Sequence, residues 1–177
     1  MKATLKRVLL PLICSAFVVV LDQITKNIVS GYGVSLNDTY IIPHLLQYNY
    51  LHNTGAGMGT LSGGGWFLIP VTAIAIVLGI VAIFSKWGKE SLLFTWSLAL
   101  VIGGGIGNLI DRIFVGYVTD FMLFPVSWFP FSFNVADVAV SVGGAMLILY
   151  LLIDTVKAKK EEKEKKTSPQ NEVQDGE

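Results

Sequence analysis

Four long apolar runs, Val8 to Val29, Trp66 to Phe84, Leu92 to Ile110 and Val135 to Val156, divide the chain, and its polar residues collect between and beyond them. Each run approaches the ~20 residues that a helix rising ~1.5 Å per residue needs to cross ~30 Å of hydrocarbon, so the pattern predicts four membrane-spanning helices. The connections are unequal. In residues 30–65 the stretch LLQYNYLHN alternates, which places Leu46, Tyr48, Tyr50 and His52 on one face of a strand ahead of the glycine-rich NTGAGMGTLSGGG, and a small sheet lying on the membrane is expected there. Residues 113–134 carry so many aromatic side chains that a segment resting among lipid headgroups is expected instead. The predicted fold is thus an all-α polytopic membrane protein, with four transmembrane helices, a small extracytoplasmic β-sheet and an aromatic interfacial loop.

Composition agrees with a membrane chain: 53% of residues are hydrophobic and 15% charged, and the mean hydropathy is +0.60, too apolar for a soluble domain of this length. The formal net charge of zero conceals basic clusters beside the spans: Lys2, Lys6 and Arg7 at the start, Lys86 and Lys89 between spans two and three, and VKAKK after span four. These lie on one side of the membrane, so both termini are expected in the cytoplasm, and the clusters fit topology better than nucleic-acid binding. A cleaved leader, or a lipid-attachment signal at Cys14 in LPLIC, fits poorly, because Ile13 is bulky where a small residue is wanted and the apolar run continues past Cys14. With one cysteine there is no internal disulfide, and Cys14 reads as a packing residue. Residues 1–156 form a single membrane-embedded domain in this reading. Residues 157–177, mixed in charge and almost without apolar side chains, are expected to be a disordered cytoplasmic tail.

With alternating spans, the polar residues inside them fall at one end. Span one closes with Asp22 and Lys26, span three with Asn108, Asp111 and Arg112, and span four opens with Asn134 and Asp137, all spaced by one helical turn or so and all toward the outer face. Charges at span ends cost less than the ~2.5–3.5 kcal/mol assigned to the bilayer centre, so any one of them fits an ordinary interfacial role. Asp111 with Arg112 fits an ion pair closing span three, Asp22 with Lys26 a helix-surface pair, and Asn134 an N-cap. Seven such groups of both signs converging on one end point to a shared polar site. Gly103 and Gly107 form a small-residue spacing that lets another helix approach closely. Asp120 stands alone in the oily loop, flanked by VT and FMLF.

The chemistry these groups support is restricted. His44 and His52 lack the spacing of a zinc protease and read as structural, and no metal-ligand set or cofactor fingerprint is present. GGGIGN lacks the Lys-Ser/Thr of a phosphate loop, and no nucleophile elbow occurs. Lys26 and Ser30, one turn apart, form the pattern of a serine–lysine peptidase, but such a pair arises easily by chance. A pair of aspartates fits what is present: two carboxylates close together near an apolar loop cannot both ionise readily, so one can deprotonate water while the other protonates a scissile carbonyl.

The motifs DQITK at 22–26, NTGAG at 53–57, GGGIGNLIDR at 103–112, GYVTDF at 116–121 and FNVAD at 133–137 closely resemble those of the bacterial lipoprotein (type II) signal peptidases, in the same order and over about four-fifths of the chain. The resemblance implies four transmembrane helices and a small periplasmic-side sheet framing an aspartate pair, here Asp120 and Asp137. Asp22, Lys26, Asn53, Gly55, Asn108, Asp111, Arg112 and Asn134 would order the site or meet the substrate. It also implies cleavage of diacylglyceryl-cysteine prolipoproteins immediately before the lipidated cysteine, without cofactor or metal. The setting would be the bacterial inner membrane near its outer face, with membrane lipids as neighbours and cyclic-peptide inhibitors of the globomycin type as ligands. One departure is that the family's NTGAAF-like segment reads NTGAGM here, with Gly57 and Met58. A transporter or channel would bind a solute with the same cluster but needs polar groups near mid-membrane or at the inner side, and a scaffold protein gives no reason for Asp120.

Overall fold

The computed structural model describes residues 2–55, 65–126 and 131–167, with side chains from 7 to 164 within those limits. Four helices are long and apolar enough to cross a membrane: α1 (Lys2–Tyr32), α2 (Gly65–Phe84), α4 (Leu92–Phe114) and α5 (Val135–Thr167). The short α3 (Lys86–Glu90) turns the chain between α2 and α4. α4 is the centre of the bundle, packed against α1, α2 and α5. Half of its apolar window is buried, against 6% for α2, which therefore keeps most of its surface outward.

Glycines make the close packing around α4 possible. A Cβ on Gly103 would come within 2.8 Å of the Ser15 carbonyl and one on Gly107 within 2.6 Å of Asp22 Oδ2, so the small-residue spacing seats α4 on α1. Gly104 faces α5, where a Cβ would run into the Ala136 carbonyl, whereas one on Gly105 would stand 3.5 Å from Ile76 in ordinary contact. Gly104→Val is therefore expected to destabilise the bundle by about 1–3 kcal/mol through overpacking, and Gly105→Ala to be near neutral. Detergent-phase thermal unfolding of the two variants checks this, and equal stabilities would contradict the packing.

The expected small sheet is present and draws on both loops. β1 (Tyr40–Ile42), β2 (Leu46–Asn53), β3 (Val118–Phe124) and β4 (Phe131–Phe133) pair antiparallel in that order. The aromatic loop expected to lie along the headgroups thus supplies two of the four strands, because its β-branched and aromatic residues fit a half-buried pleated surface. The register of β2 on β3 shifts by one residue between Tyr48 and Leu51. That bulge interrupts the expected single face: Tyr48 is buried, whereas His52 is exposed. At the end of α4, Gly116 adopts φ +85° and its N–H caps the Asp111 carbonyl, which turns the chain directly into β3.

One expectation about the end of a segment changes. The charged tail, expected to be disordered from residue 157, is helical as far as Thr167, so the boundary at 156 falls inside α5. Extending an existing helix needs no new nucleus, and Lys160 and Glu164 pair across one turn at 3.8 Å. Residues 168–177, like the Gly57 and Met58 departure, lie outside the described residues.

Candidate active site

The polar groups of three spans and two strands meet where the sheet caps the bundle. Lys26, 4% exposed, is their hub. Its Nζ lies 2.8 Å from Asp22 Oδ2 and 3.0 Å from Asp111 Oδ2, and it donates to Asn108 Oδ1 at 2.9 Å. Two carboxylates on one buried cation leave an excess negative charge, which backbone donors offset. The Ala136 N–H in the first turn of α5 donates to Asp22 Oδ1 at 2.9 Å, and the Thr119 N–H of β3 donates to Asp111 Oδ2 at 3.1 Å. Gln23 adds donations to Asp111 Oδ1 at 3.0 Å and to the Gly107 carbonyl at 3.2 Å. This network ties α1, α4, α5 and β3 to one another.

Above the hub, three asparagine side chains each present an NH₂ to a carboxylate. Asn53 donates to Asp120 Oδ2 at 2.9 Å, Asn134 to Asp120 Oδ1 at 2.7 Å, and Asn108 to Asp137 Oδ1 at 2.8 Å. Their orientation follows from what holds each carbonyl oxygen. Asn53 Oδ1 accepts from the Gly55 N–H, Asn108 Oδ1 from Lys26 and from Asn134 Nδ2, and Asn134 Oδ1 from the Asp137 N–H. Asn134 is also the N-cap of α5: its own N–H donates to Asp137 Oδ2 at 3.2 Å, a reciprocal capping box with an aspartate at the third helical position. The side chain that caps α5 thus also donates to Asp120. Through it Asp120 and Asp137 are held as neighbours, one from the sheet and one from the helix.

Asp120 is 1% exposed. Burial pushes its carboxyl up to about 7, with the nearby Asp137 charge acting in the same direction and the Asn53 and Asn134 hydrogen bonds opposing. Beside Asp137, a cleft of about 290 Å³ runs between α2, α4 and α5. Its walls are mostly Val, Ile, Ala and Gly, and its polar end is formed by Asn108, Arg112 and Asp137.

Arg112 and Asp111 do not form the ion pair considered for them. Neighbouring residues on a helix point ~100° apart. Asp111 accordingly joins Lys26 in the interior, whereas Arg112 lines the cleft and donates to the Asn108 carbonyl at 3.3 Å. The serine–lysine alternative is not assembled among the described residues either: Lys26 is held by two carboxylates, and the exposed Ser30 accepts from the Tyr50 hydroxyl at 3.4 Å. His52 stacks on Tyr117 with ring centroids 3.8 Å apart, and His44 lies against Tyr40. Among the described residues no group of three or more His, Cys, Asp or Glu is placed to hold a metal. Gln23 and Thr119 were missed by sequence reasoning. Gln23 stands beside Asp22 at the same polar turn, a signal available but weak, whereas the Thr119 contribution is its backbone N–H, which no side-chain pattern reveals.

Comparison with known proteins adds an independent line. Residues 14–153 match the family model described as signal peptidase (SPase) II. The chain is 40% identical over 147 residues to a lipoprotein signal peptidase of Symbiobacterium thermophilum, spanning 82% of this chain and 95% of that one. It is 42% identical over 139 residues to one of Caldanaerobacter subterraneus subsp. tengcongensis, spanning 78% and 92%. A solved bacterial membrane enzyme superposes with a TM-score of 0.74 at 33% identity, covering 82% of this chain and 88% of that one.

Proposed function

The chain belongs to the signal peptidase II family, a multi-pass membrane peptidase acting on lipoprotein signal peptides, and on that premise we propose that it is an aspartic endopeptidase whose pair is Asp120 and Asp137. The observation that carries this reading is the pair itself: two carboxylates from different elements, bridged by Asn134, with Asp120 held near 7 and Asp137 at the polar end of an apolar cleft. The cleft receives the signal helix, and the scissile carbonyl reaches the pair. Asp137 takes a proton from water as its oxygen attacks the carbonyl carbon, while Asp120 gives its proton to the carbonyl oxygen. The proton on Asp137 then passes to the departing amide nitrogen as the C–N bond breaks, and the hydroxyl proton returns to Asp120. Arg112 meets the substrate backbone from the cleft wall. Cyclic peptides of the globomycin type would compete for the same cleft.

The pH dependence follows from the sign of the Asp120 shift. A group raised to about 7 keeps its proton below that pH and loses it above, so kcat/KM should fall as pH rises through about 7. Asn53 stabilises the ionised form, so Asn53→Ala should move that limb to higher pH. An unmoved limb would assign the titration to another group.

The substrate is a prolipoprotein carrying diacylglycerol on the cysteine after the cut, and the bond broken is the one immediately before that cysteine. Each buried CH₂ contributes ~0.8 kcal/mol to membrane partitioning, so two chains hold the bond at the depth of the pair. Purified protein should cut the lipidated precursor with far higher kcat/KM than its unlipidated form. Failure of the wild type to cut the lipidated precursor would overturn the reading.

The enzyme sits in the bacterial inner membrane with the sheet end outward and both termini in the cytoplasm. Arg7 lies 3.5 Å from the Lys89 carbonyl, and Lys86 and Lys157 line the same hollow, so the basic residues share the end away from the sheet, as cytoplasmic ends do. In a Cys14→Ser background, a cysteine replacing the exposed Leu45 should react with an impermeant thiol reagent outside intact cells, and one replacing Lys86 should not. The reverse pattern would invert the topology.

A further inference from the structure

A second apolar cleft, of about 450 Å³, reaches Asp137 from the other flank of α5. Its walls are Phe124, Phe131 and Phe133 of the β3–β4 hairpin and Val138, Ser141 and Val142 of α5. Asp137 thus lines both clefts. At ~100° per residue, Val140 of the first cleft stands ~60° to one side of Asp137, while Val138 and Val142 of the second stand ~100° and ~140° to the other. The helix therefore separates two apolar channels, and the aspartate is where they meet.

The two channels differ in depth. The first extends from the polar end down α2 and α4 to Gly79 and Leu98, well into the spans, which suits a transmembrane signal helix. The second is confined to the first two turns of α5 beneath the aromatic hairpin, at the sheet end of the span. A peptide cut at Asp137 has its signal helix on one side of the scissile bond and the lipid-bearing cysteine on the other.

We propose that the hairpin cleft is the acyl subsite, receiving the substrate's own diacylglyceryl chains while the signal helix occupies the cleft between α2, α4 and α5. The proposal rests on the prolipoprotein reading and deepens it. It commits to the substrate's chains rather than bulk lipid because the cleft is continuous with the aspartate, so the chains that fill it are those attached next to the bond being cut.

Ser141 and Val142 are exposed in the cleft wall, so a larger side chain at 141 fills the cleft without entering the core. Two precursor peptides, identical except for dipalmitoyl or dibutyryl glyceryl-cysteine, are compared in the same micelles. Ser141→Phe should lower the ratio of kcat/KM for the long-chain over the short-chain precursor at least ~10-fold, by blocking a subsite only long chains fill. Val77→Phe, at an exposed position of α2 outside both clefts, should leave the ratio unchanged. A ratio unaffected by Ser141→Phe overturns the acyl subsite, whereas a wild type that cuts neither precursor overturns the prolipoprotein reading. Should Ser141→Phe not fold, the second measurement decides. A precursor with a diazirine at the end of each acyl chain is photolysed on the Asp120→Asn protein. Adducts concentrated between Phe131 and Val142 support the subsite; adducts on α1 or α2, or spread evenly over the outward helix faces, overturn it.

Discussion

Replacing either Asp120 or Asp137 with Asn is expected to lower turnover at least ~10³-fold, within the range lost when a positioned acid or base is removed together with water activation. The substitution keeps size and removes only the exchangeable carboxyl. At 120 the new amide faces two NH₂ donors, Asn53 and Asn134, and can accept from only one of them with its oxygen. At 137 it keeps one acceptor for the Asn108 and Asn134 donations that the carboxylate shares between two oxygens. Both variants should therefore lose some stability as well, and single-turnover cleavage must be read beside thermal unfolding and binding of uncut precursor. A folded variant that binds precursor and cuts at near-wild-type rate would remove that residue from the mechanism. Ser30→Ala, at an exposed hydroxyl away from the network, should remain active, and chelators should have little effect.

The largest stability effect is expected at Lys26. Lys26→Met retains most of the packing volume but leaves Asp22 and Asp111 buried and stripped of their shared cation, a change expected to cost about 3–5 kcal/mol. It also removes one of the two donors that fix Asn108 Oδ1, freeing that side chain to turn its oxygen toward Asp137. Activity should consequently fall further than unfolding alone accounts for at temperatures where the variant is folded. Adding Asp111→Asn should recover part of the lost stability, because it removes one stranded charge. Comparable melting temperatures for Lys26→Met and the wild type would show that the ion cluster does not hold the ends of α1 and α4.

Much of this arrangement is visible in the chain itself, for a local reason. Crossing a bilayer demands a continuous apolar run, so α1, α2, α4 and α5 stand out as hydrophobic segments, and the polar turns at 22–26, 108–112 and 134–137 stand out against them. Helical periodicity then puts Asp22 with Lys26 and Asn134 with Asp137, and the Gly103–Gly107 spacing announces the contact that seats α4 on α1. What the sequence leaves open depends on partners far along the chain. Strand pairing joins β2 to β3 across more than sixty intervening residues (53 to 118), and neither the bulge nor the fourth strand has a local signature. Asp111 and Arg112 look like an adjacent ion pair until the neighbouring helices decide that one faces Lys26 and the other the cleft. The orientations of three amides, on which the donors to Asp120 and Asp137 depend, are set by Gly55, Lys26 and the capped end of α5 together. Hydrophobic patterning is a property of each segment. Hydrogen-bond direction in a buried polar cluster belongs to the whole assembly, because each donor is fixed only by what occupies its partner's other side.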